Sequence, residues 1–120
     1  MRNMSFFKTA GQIRSETKTI TRRLGWTFLK PGDRVMACVK CQGLRKGEKI
    51  EKIRSLLITK VSRERLDTIT QEEVIKEGFL DRIPNKSRYL FIDMFCELNK
   101  CPPNTMVTRI EFKYINSGKY

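Results

Sequence analysis

The 120-residue chain has no histidine. That removes the side chain that ordinarily moves protons at neutral pH, and with it every nucleophile–histidine pair. Long apolar runs are missing too: no window approaches the ~20 apolar residues that a membrane helix requires. No apolar signal region follows Met1-Arg2-Asn3-Met4-Ser5, so secretion is not indicated and the cytoplasm is the expected location. In that reducing setting the four cysteines are expected to stay thiols unless a metal takes them. Repeats, low-complexity tracts and internal linkers are absent, which points to one domain around a single core.

Acidic residues are few, 13 against 25 lysines and arginines, for a net charge of +12. The surplus cations are spread along the whole chain and favour a polyanionic partner, nucleic acid being the commonest. Solubility alone is the other reading of such a charge.

Local patterns predict a short strand at Met4–Phe7, a helix over Thr9–Glu16 with Ile13 turned inward, and a strand over Lys18–Arg23. Lys30-Pro31-Gly32-Asp33 is a turn, because proline presets φ and glycine supplies the left-handed position. It feeds a strand over Arg34–Cys41, with Val35, Ala37 and Val39 on one face. A glycine-bounded loop follows at Gly43–Gly47, then a long strand or bent pair over Ile50–Arg63. Thr70 and Glu73 have capping-box spacing, with Glu73 able to reach back, and the helix they open should stop at Gly78. A second helix fits Ser87–Asn99, with Phe91, Met94, Phe95 and Leu98 on one stripe, and Pro102 and Pro103 prevent its continuation. A last strand spans Met106–Ile115, and residues 116–120 read as a tail. Strands far apart in sequence with two helices inserted late predict a small mixed barrel, α+β in kind, of about five or six strands with two or three flanking helices.

The segment Glu16-Thr17-Lys18-Thr19-Ile20-Thr21-Arg22-Arg23 carries the densest chemistry. In a regular strand Thr19, Thr21 and Arg23 share one face, and Lys18, Ile20 and Arg22 the other. With Ile20 expected to point into the barrel, the cleft face gains two hydroxyls and a guanidinium, a set suited to phosphate or a carbonyl oxygen. Lys18 joins them only if the chain bends at Thr17 or Lys18. Alternatively, a basic strand edge would merely block unwanted pairing.

The order of a KTITRR strand after a short helix, an LKPGDRV turn, an ITQEEVIKEGF helix and a closing VTRIEFKYI strand resembles the ASCH domain, a β-barrel family of the PUA-like superfamily. The resemblance runs from about Ser5 to Ile115, which implies a domain over residues 4–115. It implies an RNA- or nucleotide-binding barrel with a cleft lined by the KTxTxR segment. One bacterial branch looks like a 4-acetylcytidine amidohydrolase, and its lysine, threonine and glutamate fall on Lys18, Thr21 and Glu77. Arg23 matches the arginine beyond the threonine. Arg22 stands where that branch has an apolar residue, and the Cys41–Glu48 loop and a longer late helix are further departures that bear on the pocket. Another member is associated with RNA cleavage, so metal-free ribonuclease chemistry using Lys18 and an arginine is a third reading.

As an enzyme the chain would use Thr21 as nucleophile and a neutral Lys18 as base, oriented by Glu77. As a binding module it would use Thr19, Arg22 and Arg23 with the basic set Lys40, Arg45, Lys46 and Lys49, contacting backbone phosphates. Trp26 and Phe28 could stack a base, although a lone tryptophan more often belongs to the core. Cys38, Cys41, Cys96 and Cys101 would form a zinc tetrad only if the first pair sat on a turn, and buried small hydrophobes are the preferred reading. No cofactor is expected, the partner is RNA or a modified nucleoside or nucleotide, no membrane is involved, and a monomer is favoured.

Overall fold

The fold is organised by one long strand. In a computed structural model that describes residues 1–79 and 87–115, Lys52–Arg65 forms a 14-residue strand, β4. At about 3.3 Å per residue it would run roughly 45 Å if straight, beyond the molecule's largest extent of 36 Å. It therefore bends. The register against its neighbour slips between Ile58 and Lys60, leaving Thr59 as the extra residue of a bulge.

The other strands are β1 (Arg2–Ser5), β2 (Ile20–Arg23), β3 (Arg34–Cys38) and β5 (Met106–Tyr114). The sheet order is β1-β3-β4-β5-β2, with β1 parallel to β3 and the remaining pairs antiparallel. The sheet curls into a half-barrel with, among the described residues, three α-helices, the α+β architecture expected from the sequence. Its interior is filled by Met4, Phe6, Val35, Leu56, Ile58 and Phe112 among others. A second cluster, including Leu66, Val74, Phe79, Phe91 and Val107, lies under the helices.

Helix α1 covers Ala10–Arg14, shorter than the Thr9–Glu16 expected, because Phe7–Thr9 winds as a 3₁₀ turn and Glu16 turns left-handed at φ 62°. Helix α2 spans Gln71–Lys76; the Thr70 hydroxyl accepts from the Glu73 amide at 3.2 Å, as its cap spacing predicts. Helix α3 spans Arg88–Asn99, capped by Ser87 and closed by Lys100 in the left-handed region. Edges differ from expectation by a few residues: β1 starts at Arg2, β3 stops at Cys38 where its register slips, and β5 ends at Tyr114. The tail read at residues 116–120 lies outside the described residues. Among the described residues no helix is long and apolar enough to cross a membrane.

Candidate functional site

The end of α2 meets the start of β2, and the meeting builds a buried charged floor. Gly78 makes it possible. Its φ is +85°, and a Cβ there would lie 3.2 Å from the Lys18 Cβ and 3.3 Å from Gln12. A larger residue would be strained and would push the two segments apart. With glycine in place, the carbonyls at the end of α2 find donors from the other segment. The Thr19 amide donates to the Lys76 carbonyl at 3.0 Å, and the Lys18 ammonium donates to the Glu77 carbonyl at 2.5 Å.

Lys18 precedes β2, which begins at Ile20, so the bend that the amine required is present. Its Nζ also lies 3.1 Å from Glu77 Oε1, and both residues are only 2% exposed. Burial lowers the Lys18 pKa below the ordinary amine value, while Glu77 pulls the other way. The Phe79 and Phe6 rings lie 5.2 and 6.0 Å from the ammonium.

Register assigns the faces of β2. Thr21 sits opposite Ile110, a barrel-core residue, whereas Ile20 faces Glu111 and Arg22 faces Arg109. Directly paired residues share a face, so Thr21 and Arg23 are the pair turned toward the barrel. The expectation that Ile20 points into it is reversed: Ile20 is buried on the other face. Thr19 lies outside the strand, is exposed, and lines neither cavity. The second hydroxyl expected of the cleft is therefore absent from it.

Arg22 differs from expectation as well. Rather than awaiting a phosphate, its guanidinium is occupied: Nη1 lies 3.1 Å from Glu77 Oε2, and Nη2 lies 2.7 Å from Glu64 and 2.8 Å from Glu73. Arg109 holds Glu73 at 2.6 Å and Glu111 at 2.6 Å. Glu73 thus spends its carboxylate on arginines of the sheet instead of reaching back in a capping box. The Arg109 hydrogen bond, against some desolvation and helped by Arg22, holds its pKa down at about 2.

Arg23 is placed otherwise. Its Nε donates to the Thr21 hydroxyl at 3.3 Å, its Nη2 donates to the Ser5 carbonyl at 2.5 Å, and its plane covers the Phe6 ring at 4.6 Å. It ties β2 to β1 across the open side of the half-barrel. Among the described residues it has no carboxylate partner.

Over this floor opens a cavity of about 330 Å³. Lys18, Thr21, Arg22, Arg23 and Glu77 are among its polar groups, with Ser5, Lys8, Thr9 and Asn99 also lining it; Phe7, Trp26, Phe79, Phe91, Met94 and Leu98 contribute to its walls. Lys18 and Thr21 share one cavity with Glu77, which is remote from both in sequence. Trp26 is half-buried against the barrel core, as the core reading has it, yet it also lines the cavity. Beside it lies a second cavity of about 320 Å³, bounded by Asn3, Ser5, Arg23, Trp26, Lys40, Cys41 and Gln42. Arg45, Lys46 and Lys49 are exposed and line neither.

The zinc tetrad does not assemble. Cys96 and Cys101 pack against the cluster under the helices, Cys38 is buried at the end of β3, and no metal-binding group of three or more His, Cys, Asp or Glu exists among the described residues. The sequence reading missed Glu64, Glu73, Arg109 and the cavity role of α3. Only the stripe of Phe91, Met94, Phe95 and Leu98 hinted at the last of these.

This half-barrel, with its mouth at β2 and α2, is the fold of an ASCH domain. It is similar to the ASCH domain of Lactobacillus crispatus at a TM-score of 0.61 and 15% identity, covering 94% of this chain and 78% of that one. Protein EF3133 of Enterococcus faecalis gives a TM-score of 0.65 at 13% identity, with coverage of 95% and 79%. The hypothetical protein PH0355 gives 0.57 at 18% identity, with coverage of 95% and 96%. No family model matches the sequence, and no curated protein matches it.

Proposed function

We propose that the protein is an RNA- or nucleotide-binding module whose larger cavity takes one nucleoside unit. The observation that carries this reading is the buried Lys18–Glu77 pair at the floor of an aromatic-walled cavity of about 330 Å³. A neutral ion pair has little net pull on a phosphate. It does offer a donor and an acceptor side by side, which is what the edge of a base needs. Two of the three Lys18 N–H donors are engaged by Glu77, leaving one for a ligand. The aromatic walls suit a stacked ring, and the volume falls in the range of small-molecule pockets.

Trp26 is the single tryptophan, so its fluorescence reports occupancy directly. Titration with ribonucleosides and nucleotides should quench or shift it, and Thr21→Ala should weaken that binding mildly. Absence of any response across nucleosides, nucleotides and single-stranded RNA would remove the proposal.

A second reading, hydrolysis of an acylated cytosine nucleoside, is favoured by two features. Burial lowers the Lys18 pKa, and Arg23 donates to the Thr21 hydroxyl, which stabilises an alkoxide. Thr21 Oγ would attack the acyl carbon as Lys18 takes its proton; that proton would then pass to the departing cytosine amine, and water would release the acid. The rate should rise with pH as Lys18 is deprotonated. Thr21→Ala should remove turnover by at least ~100-fold, read as acetate released from 4-acetylcytidine, with the melting curve little changed. Undiminished turnover by that variant would eliminate this mechanism.

A further inference from the structure

The two cavities are neighbours with a common wall. Ser5, Arg23 and Trp26 line both. The groups at this wall are a guanidinium and an indole, the two side chains that hold a strand of nucleic acid by its phosphate and its base faces. On the far side of the wall the second cavity adds Lys40. The only ion pair Lys40 makes among the described residues is with Glu48 at 3.6 Å, both side chains being about one-third exposed.

Arg23 is the decisive group. A buried cation ordinarily has an anion beside it, because desolvation without one is costly. Arg22, the adjacent residue, contacts three carboxylates. Arg23 has a hydroxyl and a carbonyl as acceptors, no carboxylate among the described residues, and no hydrogen bond there from Nη1. Burial brings its pKa down to about 10 against the opposing pull of Glu77, which carries no direct ion pair to it. Its fork is fixed by Thr21, Ser5 and the Phe6 ring, so little ordering remains when an anion arrives.

Resting on the nucleoside reading of the larger cavity, we infer that the two cavities are consecutive subsites for a phosphodiester-linked strand, with Arg23 on the phosphate that joins one nucleoside to the next. Trp26 then stands between the two bases, and Lys40 meets the second nucleotide. The ligand class is an oligonucleotide, not a free nucleoside.

The test compares the four common ribonucleosides, their monophosphates and the matching dinucleoside monophosphates by calorimetry and Trp26 fluorescence. A dinucleoside monophosphate should bind about tenfold tighter than the better of its two mononucleotides, the size of one added stacked base. Lys40→Ala should reduce that gain measurably while leaving each mononucleotide's affinity unchanged. Arg23→Lys keeps the charge and serves as the milder variant, with its melting curve checked; it should cancel the advantage of a mononucleotide over its nucleoside. A dinucleoside that binds no tighter than a mononucleotide, with Lys40→Ala silent, overturns the two-subsite arrangement and leaves the single nucleoside pocket standing. Failure of every nucleoside and nucleotide to bind overturns both.

Discussion

Arg22 and Arg23 are neighbours on β2, but strand geometry sends their guanidinium groups to opposite faces. On the helix side Arg22 meets Glu64, Glu73 and Glu77, and Arg109 extends the set to Glu111. On the barrel side Arg23 meets a hydroxyl, a carbonyl and an aromatic ring. The first cation is compensated and holds the sheet to α2. The second makes no ion pair among the described residues and borders both cavities. Net charge says little about where an anion will bind in such a molecule; pairing decides it.

The comparison breaks or holds on stability first. Arg22→Ala leaves three carboxylates without their shared partner, and removing one member of a buried ion pair costs about 3–5 kcal/mol. Against a total stability of roughly 5–15 kcal/mol, this variant should be marginally folded in urea titration. Arg23→Ala loses hydrogen bonds from a half-buried guanidinium to neutral acceptors, about 1–2 kcal/mol. Equal losses from the two substitutions would erase the distinction between them.

Acid sharpens the same contrast. The Glu73 pKa, held down at about 2 chiefly by Arg109, is depressed relative to the unfolded chain. A depressed carboxylate contributes stability that is fully present above the unfolded value of ~4.3 and is lost as pH falls toward the folded value. Melting temperature should therefore drop between about pH 4.5 and pH 2. Glu73→Gln should cost roughly 2 kcal/mol at neutral pH, the scale of a charge-assisted hydrogen bond, and should flatten that acid slope. An unchanged slope in the variant would mean that other carboxylates carry the transition.

What could be read in advance divides along the same line. The Thr70 cap, the Gly78 stop, the Pro31-Gly32 turn and the period-two strands are local signals, and each appears in the fold. Lys18, Thr21 and Glu77 were named through a resemblance to a known family. The partners of Arg22 lie 42, 51 and 55 residues away, and no local pattern announces ion pairs at that separation. Thr19 and Ile20 depart from expectation because β2 begins at Ile20 rather than Lys18 and its faces follow a distant partner. The left-handed turn at Glu16 and the register with β5 set the faces instead, and register depends on a partner strand the local sequence does not name.

The smallest effect concerns charge remote from both cavities. Arg45, Lys46 and Lys49 are exposed, and Arg45 and Glu48 close the loop between them, the Arg45 amide donating to the Glu48 carboxylate and the Glu48 amide to the Arg45 carbonyl. Replacing all three side chains by alanine should leave stability within about 0.5 kcal/mol. Mononucleotide affinity should not move, because none of the three reaches a cavity. Long single-stranded RNA should behave differently: each lost phosphate contact lowers the salt slope by about 0.7. A slope that falls by about 2 for a 20-nucleotide RNA, with the mononucleotide constant unchanged, would assign the loop to backbone tracking outside the cavities. A loop variant that instead weakens the mononucleotide would join this surface to the Arg23 side of the molecule and blur the division between paired and unpaired charge.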